Sequence, residues 1–447
     1  MPAKATSLIT ALQQRGASSS ADLQSALRAS QPTSSRLLSG LPSQVLKLGK
    51  GRASLYGLAH PIGPFSAQQT LWRLDAQGQA HAIGRLSFLA RSQIHIAAEG
   101  VNVSFEPSAR EELPWFLAPL RAQGFLGRLQ AARLAALGVA SNPERWDTHS
   151  TLLAALHTQD APGSLLLGDA TLADAQALPA LPATDPGDAL DALAADLARL
   201  LPAGSSAGGE QPKFLAVAAS GQPLLVKFSA PLGTPFGDRW SDLLHAESLA
   251  SSVLQRHGQA AADCQTITTK ERTYLLSTRF DRLGPQGRVH TVALGAVHAA
   301  FVPGPWVNWS STCDALAHQG RLPAQDAERA AFLLQFGQLI GNTDMHSGNA
   351  SVFALGDTLA DMLRGQFKLA PCYDMLPMRF KPDPMVGLVD YAPFAPDTRL
   401  ASPGAKQAAL EFWNCLAQLP AVSQRMRALA QAQQNDASVG QPLRQLS

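Results

Sequence analysis

The sequence predicts an α+β chain in three parts: a small basic unit of helices and a hairpin, a mixed middle region, and a large body with a mixed first lobe and a mostly helical second lobe. Three observations carry that prediction. At 447 residues the chain has the length of roughly three domains. Its apolar residues, 46% of the whole, supply a real core and exclude wholesale disorder. Charge is also segregated: residues 1–60 hold seven Lys/Arg against the single acid Asp22, a net +6, while the rest of the chain sums to −4. That asymmetry marks the first sixty residues as a candidate polyanion binder joined to an ordinary body.

The four cysteines, Cys264, Cys313, Cys372 and Cys415, lie more than forty residues apart. This excludes CxxC zinc pairs and a disulfide framework, and points to a reducing compartment. Gln, Arg and Gly interrupt the first sixteen residues before any apolar stretch of signal-peptide length, and no run reaches the roughly 18 apolar residues of a membrane span. A cytosolic protein with no membrane partner is expected.

In the first sixty residues, Leu8, Ile9 and Leu12 recur at helical spacing until Gly16. A second helix is expected behind an N-cap at Ser20, with Leu23, Ala26 and Leu27 as its apolar face. A third is capped by Ser30, carries Pro32 in its first turn and turns Leu37, Leu38 and Leu41 inward. Gln31, Thr33, Ser34, Ser35 and Arg36 then occupy the exposed start of that helix, where a recognition helix contacts bases and phosphates. Val45–Leu48 and Ser54–Leu58 read as a hairpin whose tip supplies the cations Lys50 and Arg52. Three helices and a basic wing make a winged helix-turn-helix, with DNA as the expected partner of residues 1–60. The plainer alternative is a helical docking domain whose basic residues are merely solvated.

Residues 61–187 read as a region with strands near 81–86 and 94–96 and a Leu/Ala-rich helical stretch near 115–137. His81, His95, His149 and His157 have no partner at metal-ligand spacing, so they read as surface or satisfied core histidines. Pro179, Pro182 and Pro186 punctuate a linker before a helix at 188–201.

The chemistry begins at Gly204. GSSAGGEQPK (204–213) is a loop of small residues leading into a strand at Phe214–Val217, and a second strand follows at Leu224–Phe228. Such a loop lets backbone N–H groups approach phosphate oxygens, although the P-loop order GxxxxGK[ST] is absent. Lys227 lies inside the second strand between Val226 and Phe228, and a buried Lys needs an anionic partner. Glu247, in a helical pattern twenty residues on, is the candidate. A strand Lys held by a helix Glu while it touches nucleotide phosphates is the kinase ion pair; a structural salt bridge or an edge Lys would look alike at this point.

Two later motifs weigh for the kinase arrangement. An apolar helix at Leu333–Ile340 runs into GNTDMHSGN (341–349), where Asp344 and Asn349 have the D-x-x-x-x-N spacing of a kinase catalytic loop. The Asp of such a loop accepts the proton of the attacking hydroxyl and the Asn holds Mg²⁺. Asp374 follows a short apolar strand from Phe367, in the position of the second metal-binding carboxylate. A lone loop Asp is usually a turn former, but Lys227, Glu247, Asp344, Asn349 and Asp374 occur together in the required order.

With these residues in view, the chain resembles the HipA family of bacterial serine/threonine kinases, the toxins of toxin–antitoxin modules. SSAGGEQPKF (205–214), LLVKF (224–228), STRFDR (277–282), GNTDMHSGN (341–349) and LAPCYDML (369–376) carry the resemblance. It looks closest to the branch with its own N-terminal winged helix. The resemblance implies a bilobal, kinase-like body at 188–447 behind a HipA-like N-terminal region at 61–187. It implies ATP and Mg²⁺ as cofactors, a protein Ser or Thr as acceptor, and a HipB-like antitoxin as partner. Residue by residue, it implies catalytic roles for Asp344, Lys227 and His346 and Mg²⁺ ligation by Asn349 and Asp374. Nucleotide contacts fall to Ser206, Gly208, Gly209, Gln211, Lys213, Lys227 and Glu247, with Thr278, Arg279 and Phe280 as the backbone hinge that reads adenine. Ser206 aligns with the autophosphorylated serine of the family, and Ser205 is the alternative acceptor. Met345 and Ser347-Gly348 depart from the family loop, where a small residue and Ala-Lys are usual. The lost Lys removes a cation near the γ-phosphate. The rival reading is a DNA-binding regulator whose kinase body senses nucleotide and transfers nothing.

Overall fold

The computed structural model describes residues 2–438 apart from 41–43, 50–53, 109–111, 159, 174–177, 201–210, 384, 398 and 400. The expectations for Leu41, Lys50, Arg52, Ser205, Ser206, Gly208 and Gly209 therefore lie outside the described residues.

The first unit comprises α1 (Pro2–Arg15), β1 (Ser18–Ser19), α2 (Ser20–Leu27), α3 (Gln31–Ser39), β2 (Val45–Leu48) and β3 (Leu55–Leu58). Its strands pair antiparallel in the order β1-β3-β2. Leu8, Leu12, Leu23, Val45 and Leu58 give it a core of its own. The N-cap of α2 is Ser19, one residue ahead of the expected Ser20. The reason is Asp22: its N–H donates to the Ser19 hydroxyl and its carboxylate accepts from the Ser19 N–H, a reciprocal box that requires cap and acid three apart. On α3, Gln31, Ser35 and Arg36 are exposed as expected, and Thr33 is partly so. Ser34 is not, at 1% exposure. Helical rotation puts it one turn from Leu38 on the inner face, so it packs the unit and does not belong to the exposed start of the helix.

The unit rests on the middle region through Gln93. Its Oε1 accepts the Ala17 N–H at 2.7 Å, and a Cβ at Gly16 (φ 78°) would lie 2.4 Å from the same oxygen. The middle region is an antiparallel sheet of β4 (Gln68–Leu74), β5 (Ala80–Phe88), β6 (Ile94–Ala98), β7 (Val101–Phe105) and β8 (Leu165–Leu167), ordered β7-β6-β5-β4-β8. The helical stretch expected at 115–137 is broken into 3₁₀ turns at Trp115–Leu120 and Ala135–Leu137 around α4 (Gly124–Arg133). Pro119 has no N–H to give and Gly124 takes φ 60°, so one helix cannot run through. Two helices, α5 (Thr148–Ala155) and α6 (Asp169–Ala173), complete the region. Its histidines are satisfied, as expected. His95 bonds Ser104 and Asn102, His81 meets Asp75 at 2.7 Å, His149 accepts the Gly63 N–H, and His157 meets Phe65 edge-on.

The helix α7 (Gly187–Leu200) leads into the body. Its first lobe is a sheet of β9 (Lys213–Val217), β10 (Pro223–Phe228), β11 (Cys264–Thr268) and β12 (Thr273–Thr278), ordered β11-β12-β10-β9, with α8 (Pro235–Arg256) packed on it. A small hairpin, β13 (Arg282–Leu283) and β14 (Gly287–Arg288), follows. The second lobe holds β15 (Thr291–Ala293), α9 (Leu294–Phe301), α10 (Trp309–His318), α11 (Ala324–Leu339), β16 (Ser351–Ala354), α12 (Leu359–Leu363), β17 (Phe367–Leu369), α13 (Pro403–Gln418) and α14 (Gln424–Ser438).

One apolar core runs from Ile62, Leu71 and Leu167 through Trp240 and Val253 of α8 to Phe336, Phe412 and Leu429 of the second lobe. The middle region is thus built into the body. The joint is polar as well: buried Arg279 and Arg282 both pair with Asp160 and Asp281. Burial pushes the Asp281 carboxyl up, but the two guanidiniums outweigh it and hold it down at about 2. Among the described residues no helix is long and apolar enough to cross a membrane.

Candidate active site

Strand alternation sorts β10. Leu224, Val226 and Phe228 enter the lobe's apolar core, and Lys227 points to the other face, opposite Lys213 in register on β9. The helix that meets this face, α8, is started by Thr234, whose hydroxyl accepts the Gly237 N–H, with Pro235 in the first turn. It delivers Glu247, and Lys227 Nζ donates to Glu247 Oε1 at 2.5 Å. The same ammonium donates to Asp374 Oδ1. The sequence predicted the first partner; the second, 147 residues away, was not predicted.

Lys227 and Glu247 side chains are each 6% exposed and Asp374 26%. Burial pulls an ammonium toward neutrality, but Asp374 and Glu247 outweigh it and keep Lys227 above its ordinary value, fully charged. Burial likewise pushes the Asp374 carboxyl up, yet Lys227 and Lys213 hold it below the usual carboxylate range.

Helix α11 stops at Ile340, and Gly341 (φ 77°) turns the chain into the loop 341–349. Asn349 Nδ2 donates to the Asp344 carbonyl at 2.8 Å, which closes the loop on itself and leaves Oδ1 for other work. The Asp344 carboxylate is 36% exposed and faces His346 Nε2 at 4.0 Å, beyond hydrogen-bond range. The Gly348 N–H donates to His346 Nδ1, so the ring proton sits on Nε2, toward Asp344. Trp309 Nε1 donates to the His346 carbonyl and fixes that part of the loop. Ser347 lies against Gly295: its carbonyl accepts the Gly295 N–H at 2.9 Å, and a Cβ on Gly295 would lie 2.7 Å from its hydroxyl.

The hinge expectation narrows. The Thr278 and Arg279 N–H groups already donate to the Asp263 and Pro223 carbonyls, and the Arg279 side chain belongs to the buried joint. Phe280 lies against Tyr373, ring centroids 5.7 Å apart. All the described members of the expected kinase set, from Gln211 to Asp374, line one cleft of ≈2360 Å³. Gln211 is anchored there by a bond from its Nε2 to the Phe228 carbonyl.

Two residues escaped the sequence reading, Asn342 and Tyr373. Asn342 Oδ1 accepts the Asp344 N–H at 3.0 Å while its Nδ2 donates to the Asp374 carbonyl at 3.1 Å. The Tyr373 hydroxyl donates to the Gly348 carbonyl at 2.8 Å. Their only sequence signal is proximity, Asn342 two residues before Asp344 and Tyr373 one before Asp374. The donor set also fits Mg²⁺: an ionised carboxylate, Asp374, and an amide oxygen, Asn349 Oδ1, are hard ligands suited to an ion that keeps water and phosphate oxygens. Among the described residues there is no group of three or more His, Cys, Asp or Glu able to hold a metal.

The family model "YjjJ-like toxin, middle domain" matches residues 65–176, and "HipA-like C-terminal domain" matches residues 205–437. Toxin YjjJ of Escherichia coli (strain K12) is 33% identical over 438 residues, 95% of each chain. This chain belongs to the HipA-like toxin family. The fold agrees: a chain of the Shewanella oneidensis MR-1 complex of HipA, HipB and its operator DNA matches 82% of this HipA-like toxin, and 96% of itself, with a TM-score of 0.52 at 16% identity. The Helicobacter pylori proinflammatory kinase CtkA covers 49% of the toxin chain, and 85% of itself, at 13% identity and a TM-score of 0.31.

Proposed function

We propose that this HipA-like toxin is an ATP-dependent serine/threonine protein kinase that modifies a protein target and its own small-residue loop. The observation that carries the reading is Lys227, buried between Glu247 and Asp374 in the cleft that also holds Asp344 and Asn349. Lys227 and Lys213 face the nucleotide phosphates from adjacent strands, and Lys213 offsets the cation missing from Ser347-Gly348. Phe280 packs beside the base. Asp344, partly solvated and close to the His346 Nε2–H, orients the acceptor hydroxyl and takes its proton. Asp374 and Asn349 would hold Mg²⁺, which when bound neutralises charge on the transferring phosphoryl group.

In this reading residues 1–60 are a winged helix-turn-helix that binds DNA through Gln31, Thr33, Ser35, Arg36, Lys50 and Arg52. Residues 61–187 are a HipA-like N-terminal region, and 188–447 are the kinase core. The Shewanella relative is a complex with HipB and operator DNA; by extension a HipB-like antitoxin and DNA are partners here. Ser347-Gly348, which lacks the loop cation, favours the second reading, a DNA-binding regulator with a catalytically weak nucleotide sensor.

Incubation of the purified chain with Mg²⁺ and γ-labelled ATP separates the two. The kinase reading expects label within residues 204–213, at Ser206 ahead of Ser205, and Ser206→Ala active but resistant to self-inactivation. A phosphate there adds about −1.5 to −2 charge where ATP phosphates must bind. ATP binding without any transfer supports the sensor. For the N-terminal unit, fluorescence anisotropy of the full chain on duplex DNA should weaken steeply with salt, and Arg36→Ala should reduce the log–log salt slope by about 1. Salt-insensitive or undetectable binding returns the unit to a docking role.

A further inference from the structure

Asp374 adopts φ 53°, the left-handed region that a residue with a side chain enters only when its surroundings hold it there. Lys227 bonds its carboxylate, and its backbone carbonyl is held by Asn342. This side chain, 4% exposed, uses both ends of one amide: Oδ1 takes the Asp344 N–H at 3.0 Å, and Nδ2 donates to the Asp374 carbonyl at 3.1 Å. A second tie lies at the other end of the loop, where Tyr373 Oη donates to the Gly348 carbonyl at 2.8 Å and meets Ser351 Oγ at 2.8 Å. Asn349 follows Gly348 directly and is bonded back to Asp344. The peptide units carrying Asp344, Asn349 and Asp374 are therefore cross-linked at two points by side chains outside the expected catalytic and metal set.

We infer that Asn342 and Tyr373 are positioning residues that fix Asp374 relative to Asp344 and Asn349, and so set the spacing of the metal-binding oxygens from the base. This rests on the phosphotransfer reading above. The chemistry of each residue is specific to the task. An Asp at 342 accepts but cannot donate to the Asp374 carbonyl, and an apolar residue leaves the Asp344 N–H and that carbonyl unbonded. A Phe at 373 keeps the ring against Phe280 and loses the hydroxyl that bonds the Gly348 carbonyl and Ser351 Oγ. Partners that orient metal ligands in this way govern metal affinity and rate by about 10–100-fold when removed.

The test measures Mg²⁺-dependent ATP turnover of the full chain, with ATP and Mg²⁺ titrated separately, for wild type, Asn342→Ala, Tyr373→Phe and Asp344→Asn. Asn342→Ala should lower kcat by about 10–100-fold and raise the half-saturating Mg²⁺ concentration, with the KM for ATP at saturating Mg²⁺ moving less than about threefold. Tyr373→Phe, which removes one oxygen and keeps the packing, should shift the Mg²⁺ requirement in the same direction. Wild-type Mg²⁺ half-saturation and kcat in both variants overturn the assignment. So does a loss of turnover that follows only the loss of folded protein by circular dichroism. If wild type and Asp344→Asn are equally inactive, the kinase reading falls and takes this assignment with it. If Asp344→Asn alone abolishes turnover, only the positioning role is lost.

Discussion

Asp344→Asn is expected to cut phosphoryl transfer by about a thousandfold while the chain stays folded. A positioned base contributes about 10²–10⁴-fold, and an amide cannot accept the hydroxyl proton. The fold should not notice: the carboxylate is 36% exposed, and the His346 ring that faces it is 4.0 Å away. The bonds to the Asn342 and Asn349 side chains use the Asp344 backbone N–H and carbonyl, which the substitution leaves in place. Stability should therefore move by less than about 0.5 kcal/mol. Labelled-ATP transfer read beside a thermal melt checks both halves. Undiminished transfer removes Asp344 from the chemistry, and lost transfer with a collapsed melt makes it structural.

Lys227→Met should be the most destabilising single change at the site, at about 3–5 kcal/mol, because it strands buried carboxylates without their cation. Glu247, already pushed up by burial, and Asp374 would then face each other with the ammonium gone. One of them must take up a proton, so its folded-state pKa rises above the unfolded value. Stability from that group is full below the unfolded pKa, near 4, and is lost as pH rises through the folded value. The variant should therefore be closer to wild type at pH 5 than at pH 8. In the wild type Lys227 lies above its ordinary pKa and Asp374 below its own, both outside that window, and only Glu247, raised by burial, contributes in the same sense, so the slope of the variant should be the steeper. Urea midpoints at the two pH values measure the contrast. Lys227→Met/Glu247→Leu should regain most of the stability and none of the ATP binding. Equal losses at both pH values, or a double variant weaker than the single, would refute the buried-triad account.

The sequence by itself determined which residues the fold gathers along one cleft, and much of the local structure. Lys227 between apolar neighbours, Glu247 on a helix, and the five-residue step from Asp344 to Asn349 are short-range patterns, legible because a strand alternates every two residues and a helix every 3.6. The same periodicity made the three helices and the two strands Val45–Leu48 and Leu55–Leu58 readable, and missed the two-residue strand β1 and the places where one residue of phase matters. The cap moved from Ser20 to Ser19, and Ser34 turned inward.

Only the tertiary structure decided the long-range pairings. Nothing local says that the Lys227 ammonium reaches Asp374 as well as Glu247, or that one Asn342 amide joins the Asp344 and Asp374 backbones. Nor does it say that Arg279, read from sequence as part of a hinge, is buried against Asp160 of the middle region. The middle region likewise read as a separate block, yet it shares one core with the second lobe. The physical reason is common to all of these. A buried charge or polar group must find partners wherever the packed chain brings them, and which partners arrive is fixed by how sheets and helices stack, not by the spacing of residues along the sequence.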